Sequence, residues 1–183
     1  SKTGIPSKSL EGFLFPDTYL FQEDDSPEDV LTQIIEEYQK NISDDLRTRA
    51  DEMGFSELEM ITLASIIEGE AIYDTERSII SAVYHNRLKL GMKLQADPTI
   101  QYIIKDSPRR LLNRDLKINS PYNTYLYDGL PPGPVNNPGK ASILAALYPD
   151  KNDYLFFVAR GDGYHTFSKN REEHNRAKKA FQK

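Results

Sequence analysis

The stretch "EMITLASIIEGEA", residues 59–71, does most to limit the folds open to this chain. Ser56 and Glu59 make the S-x-x-E pattern of a capping box, and the residues that follow are apolar or small on nearly every side of a helix. A helix with so little polar face has to be central, with the rest of the chain built around it. The run stops on a carboxylate, Glu68, and repeats one at Glu70. Ile61, Ala64, Ser65 and Glu68 fall at i, i+3, i+4 and i+7, which sets Glu68 at the end of an apolar face. Burial and a place in the last turn, near the negative end of the helix dipole, both disfavour the charged form, so Glu68 is predicted to be a partly desolvated acid with a raised pKa. A reaction needs such a group when an oxygen leaving group must receive a proton. Glu70 lies about 200° round the helix from Glu68, so the two form one pair only if Gly69 ends the helix between them. Both glutamates also fit a solvated helix end, a reading that suits Glu70 better.

The flanking patterns are shorter. "GFLFPDTYLF", residues 12–21, reads as a short strand or extended entry followed by a turn at Pro16 and Asp17. Ser26 and Pro27 supply an N-cap and a first-turn proline, and Val30, Leu31, Ile34, Ile35 and Tyr38 recur at helical spacing, which predicts one long amphipathic helix reaching Met53. "DTERSIISAVYHNRLKLG" predicts a helix from Asp74 that Gly91 terminates. Asp97 and Pro98 repeat the cap-plus-proline start for a short helix through Tyr102, and Asn137 and Pro138 do so for "GKASILAALYP". Between Ser107 and Pro138 lies a long proline-rich loop, of the kind that usually carries function. "DYLFFVAR" and "YHTFS", joined through Gly161, Asp162 and Gly163, predict a β-hairpin, and a polar helix closes the chain. Helices first and a hairpin late give an α+β fold: a helical core whose central buried helix carries the acid, a C-terminal β-hairpin and short strands. At 183 residues the chain makes one domain.

Composition removes several kinds of chemistry. There is no cysteine, so disulfides, thiol nucleophiles and Cys-based zinc sites are excluded. The formal net charge of −5, with basic residues clustered only around Arg109, Arg110, Arg114 and Lys178, argues against nucleic acid. His85, His165 and His174 match no metal-ligand spacing and no nucleotide-binding motif is present, so neither a metal nor a cofactor is expected. Ser65 lacks the G-x-S-x-G elbow of a serine hydrolase. His165, on the hairpin, either reaches a cleft or bonds a neighbouring backbone group. No apolar run approaches the ~20 residues that span a bilayer, and the opening "SKTGIPSKSLEG" reads like a cut inside a longer protein, with any anchor upstream.

Two further groups of side chains carry chemistry. "LQADPTIQY" holds Gln95, Asp97, Thr99 and Gln101, and "PYNTYLYDGLPPG" holds Tyr122, Asn123, Tyr125 and Tyr127. Amides, hydroxyls and aromatic faces match the dispersed hydroxyls and apolar faces of sugar rings. Taken singly, Asp97 is also a helix cap and the tyrosines are also loop packing.

Five blocks, in order, carry a family likeness: "LEGFLFPDTYLF", "LASIIEGEA", "ERSIISAVYHNRLKLGMKLQADPTIQY", "YNTYLYDGLPPGPVNNPGKASILAALYP" and "YLFFVARGDGYHTFSKNREEHN". From Leu10 onward the chain resembles the catalytic domain of the MltG (YceG-like) endolytic murein transglycosylases, which makes residues 10–183 that domain and residues 1–9 a linker remnant. The resemblance implies a bacterial enzyme that cuts peptidoglycan glycan strands between N-acetylmuramic acid and N-acetylglucosamine, leaves 1,6-anhydromuramoyl ends and terminates nascent strands. It implies work on the periplasmic face of the cell membrane, held by an upstream anchor that this chain lacks. It places the catalytic glutamate on Glu68 and substrate-binding positions on Glu70, Gln95, Asp97, Thr99, Tyr122, Asn123 and Tyr125. Glu68 would protonate the glycosidic oxygen and then take the proton of the muramic C6 hydroxyl, so that one carboxyl serves both steps where ordinary glycosidases use two. Two rivals stand beside this reading: a hydrolytic muramidase with Asp97 or Glu70 as second carboxylate, and a non-catalytic wall-binding module or scaffold for penicillin-binding proteins.

Overall fold

The computed structural model describes residues 4–181. Among them the fold is α+β: seven α-helices, a single 3-10 turn and a two-stranded antiparallel sheet. The central helix, α3 (Glu57–Glu70), begins with the expected capping box, in which the Ser56 hydroxyl accepts from the Glu59 N–H and the Glu59 carboxylate accepts from the Ser56 N–H. Residues 60–67 are buried without a break. Four helices pack on it: α2 (Asp44–Glu52), α4 (Asp74–Lys89), α5 (Asp97–Ile103) and α6 (Lys140–Leu147). With α1 (Pro27–Asn41) they enclose one core that runs from Phe13 and Tyr38 through Ile61, Ile66 and Ile80 to Ile143. Ile5, ahead of Leu10, also belongs to this core.

The single helix predicted from Pro27 to Met53 is two. Ile42 leaves helical geometry at φ −97°, ψ 82°, and Asp44 and Asp45 occupy the first turn of α2. The break lets Ile42 enter the core completely and lets Arg47 reach the Glu57 carboxylate at 2.8 Å. No strand forms over residues 12–21. The N–H groups of Gly12 and Leu14 donate instead to the Asn137 side-chain oxygen, at 2.8 and 3.2 Å, and the amide stands in for a neighbouring strand. Gly12 is required there, because it holds φ +88° and a Cβ would meet Pro134 at 2.3 Å. With its side chain so engaged, Asn137 does not cap a helix; α6 starts after Gly139.

At the far end β1 (Phe156–Ala159) pairs with β2 (His165–Ser168), Phe156 opposite Ser168 and Ala159 opposite His165. The polar helix α7 (Arg171–Phe181) lies on both strands and has no buried residue among those described. Among the described residues no helix is long and apolar enough to cross a membrane.

Candidate active site

The α3 helix continues through Gly69, so Glu68 and Glu70 leave it on nearly opposite sides. Gly69 serves contact rather than termination: a Cβ there would lie 2.7 Å from the Pro98 ring. The close approach brings the first turn of α5 onto the end of α3 and sets Asp97 beside Glu70. The Glu70 carboxyl accepts from the Tyr84 hydroxyl at 2.9 Å and from the Asp97 backbone N–H. Loss of hydration, then the Asp97 charge, push it up to about 7, and the hydrogen bonds and the Arg87 charge only partly offset them. A desolvated carboxyl of the kind expected at Glu68 is thus present at Glu70.

Glu68 keeps 31% of its side chain exposed, pairs with Arg77 at 3.3 Å and accepts from the Gly139 N–H at 3.2 Å. Arg77 is held in turn by Asp74 and by the Ser142 hydroxyl.

Glu70 opens on a cleft of about 450 Å³ whose polar edge includes Gln95, Asp97 and Tyr125. The Tyr125 hydroxyl donates to Asp97 at 2.5 Å, and burial next to that charge raises the phenol's pKa and keeps it a donor. Asp97 does not cap α5; Ala96 occupies that position and the carboxylate is left for Tyr125. Gln95 is the one non-glycine among the described residues with positive φ, +50°, and its N–H is tied to the Thr124 carbonyl.

Other predicted contacts serve the frame of the cleft. Asn123 is fully buried; its amide donates to the carbonyls of Leu116 and Ile118 and its oxygen accepts from the Tyr125 N–H. Thr99 is fully buried too, its hydroxyl shared between the Ala96 carbonyl and Thr124. Tyr122 packs on Tyr102 with ring centroids 4.8 Å apart and does not line the cleft. Gln101 binds the backbone of Arg109, and Tyr127 donates to Asn119.

Three contributors escaped sequence reasoning. Tyr84 and Arg87, one turn apart on α4, read as parts of an ordinary amphipathic helix, yet both are buried. Arg87 donates to the carbonyls of Leu94 and Leu155 and lies 5.2 Å from the Phe156 ring, so it joins the two walls of the cleft. Glu76 is the third. Its carboxylate accepts the His165 backbone N–H at 3.0 Å and lies 2.9 Å from His165 Nδ1. His165 thus lines the cleft, bonded to a carboxylate rather than to a backbone group. A polar residue at a buried helical position was the available signal in each case.

An acid with a raised pKa in a polar, aromatic-edged cleft, carried on the buried helix of an α+β domain, defines the class of site. The YceG-like family model matches residues 2–180, and the chain belongs to that family. It is 44% identical over 176 residues to an endolytic murein transglycosylase of Bacillus subtilis (strain 168), covering 94% of this chain and 48% of that protein. A protein of the same name from Streptococcus pneumoniae serotype 2 (strain D39) is 33% identical over 91% of this chain and 31% of its own length. The crystal structure of a YceG-like protein from Listeria monocytogenes superposes with a TM-score of 0.84 at 42% identity, over 91% of this chain and 54% of the other. The chain thus spans about half the length of the Bacillus protein and 31% of the pneumococcal one.

Proposed function

We propose that this chain carries the cleaving centre of an endolytic peptidoglycan transglycosylase, with Glu70 as its acid. The names of the relatives support the substrate class. The observation that carries the assignment is the Glu70 carboxyl, pushed up to about 7 at the edge of the cleft, where about half of the molecules hold the proton at neutral pH and both protonation states are within reach. Glu68 lies on the other side of α3, engaged with Arg77, and does not line the cleft.

In the first step Glu70 gives its proton to the oxygen that leaves C1 of N-acetylmuramic acid, and the C1–O bond breaks. The Glu70 carboxylate then takes the proton of the C6 hydroxyl of the same sugar as that oxygen bonds to C1. The proton count is restored, no water is consumed and the product is a 1,6-anhydro end. Asp97 raises the affinity of Glu70 for its proton in the first step and strengthens it as a base in the second. Tyr125 and the Asp97 N–H hold those two carboxyl groups in place. Such work lies outside the cell membrane, where glycan strands are, and terminates the strand that is cut.

Mass spectrometry of a purified peptidoglycan digest tests the reading. Internal fragments lighter by one water than hydrolytic products are expected from the wild type and none from Glu70→Gln. Reducing ends would establish the hydrolase instead, a reading favoured by one observation, the second carboxylate of Asp97 beside Glu70. Undiminished cleavage by Glu70→Gln would remove Glu70 as the acid.

A further inference from the structure

The lining of the cleft carries both signs of charge. Glu70 and Asp97 come from α3 and α5, Arg171, His174 and Lys178 from α7, and β1 contributes the residues from Phe156 to Ala159. The three α7 residues fall at i, i+3 and i+7, on one face. The acidic residues of that helix are occupied elsewhere: Glu172 pairs with Arg176, and Glu173 accepts from Lys169 and Asn170. Arg171 and Lys178 have no ion-pair partner among the described residues, and the Arg171 guanidinium lies over the face of Phe156, 5.2 Å from the ring centroid. His174 stacks on the same ring, and its Nδ1 is buried without a hydrogen-bond partner. Burial, and after it the charges of Lys178, Arg171 and Arg87, hold the pKa of that imidazole down. In a chain of net charge −5, these cations are left unpaired around a buried orphan nitrogen.

We propose that the α7 side of the cleft is an anion subsite that takes the carboxylates of the peptide stems borne by the muramic acid units of the strand. The proposal rests on the transglycosylase reading and adds what the sugars alone do not explain, since neutral hydroxyls have no use for unpaired cations. Arg171 offers the planar fork that suits a carboxylate and Lys178 a second point charge. His174 Nδ1 has no partner in the protein and donates in the tautomer that carries its proton there. With the scissile bond at Glu70, the stem of a neighbouring muramic unit lies along β1 toward α7. The enzyme then selects strands that still carry their peptides over strands that have been stripped of them.

Two substrates and two variants test this: peptidoglycan strands with stems, the same strands after amidase treatment, the double variant Arg171→Gln/Lys178→Gln, and the control Arg176→Gln on another side of α7. The double variant is expected to raise KM for stem-bearing strands about tenfold, a loss of the size of one good charge-assisted contact, and KM for stripped strands much less. The control is expected to leave the ratio of the two KM values where it is in the wild type. Equal effects on both substrates, or none, would overturn the subsite. Should the wild type cleave neither substrate, the transglycosylase reading fails, and calorimetric titration with a soluble muramyl peptide still decides the subsite. Binding weakened about tenfold in the double variant supports it; binding of equal strength in wild type and variant refutes it.

Discussion

Glu70 loses hydration against Tyr84 and lies within reach of the Asp97 charge, whereas Glu68 faces Arg77 and the Gly139 N–H. One side-chain type, two positions apart, is thereby given two environments. If Glu70 is the acid, cleavage falls as pH rises through about 7, and a pH–rate profile whose alkaline limb lies near the ordinary carboxylate range would contradict it. The same shift sets a stability dependence. Between about 4.5 and about 7 the unfolded chain releases this proton while the folded protein keeps it, so stability present at acid pH is lost as pH rises through the folded value. A shift of that size corresponds to about 3 kcal/mol. Glu70→Gln removes the cost, and denaturant unfolding should show it more stable than the wild type at pH 8, by up to about 3 kcal/mol, with the gap closing at pH 4. Glu68→Gln is expected to cost less than about 1 kcal/mol, since Arg77 keeps Asp74 and Ser142, and to retain cleavage. Loss of cleavage in that variant with the fold intact would return the acid to Glu68.

At the scale of elements, the cleft depends on how α5 and the loop over residues 118–127 are fixed to α3. Gly69→Ala places a methyl group against Pro98 and pushes α5 away from Glu70. A loss of about 1–3 kcal/mol is expected, accompanied by a shift of the alkaline limb of activity to lower pH as Asp97 retreats, with thermal melts and pH–rate profiles as the readouts. Asn123 has a structural rather than a contact role. Asn123→Ala strands two carbonyls and the Tyr125 N–H, and a loss of about 2–3 kcal/mol is expected by chemical denaturation, with cleavage impaired because Tyr125 is no longer placed against Asp97. An unchanged unfolding midpoint would show that the loop is held by other means. Sequence reasoning treated Asn123 and Tyr125 alike because both are polar residues in one loop. Their separation into a buried clasp and a cleft donor depends on which backbone groups the loop folds toward, and no residue type encodes that alone.

The whole molecule is a packed core around α3 with the hairpin and α7 laid over one end. Residues 60–67 are buried on every side, while α7 has no buried residue among those described. Amide hydrogen exchange should accordingly be slowest in α3, at the rate of global unfolding, and much faster in α7; equal protection of both would contradict this layout. Ile66→Ala should cost about 2–5 kcal/mol in equilibrium unfolding, because a fully buried side chain leaves a cavity that surrounding helices cannot fill. Much of this was legible in advance. The capping box at Ser56, the unbroken apolar run after it, the left-handed Gly91 and the glycine-turned hairpin are local signals whose physics lies within a few residues of chain. The break at Ile42 and the missing strand at residues 12–21 were not legible, since each follows from a partner far along the chain: Glu57 for Arg47, and Asn137 for Gly12 and Leu14. The same holds at the site. By itself the sequence determined that a central buried helix runs out to two carboxylates, and that they lie on opposite faces if the helix continues through Gly69, because helical period is a property of the backbone alone. Only the tertiary structure decided that Glu70 holds its proton more tightly than an ordinary carboxyl, because proton affinity is set by hydration and neighbouring charge, and these come from Tyr84, Asp97 and Arg87 on helices that meet α3 only in the folded protein.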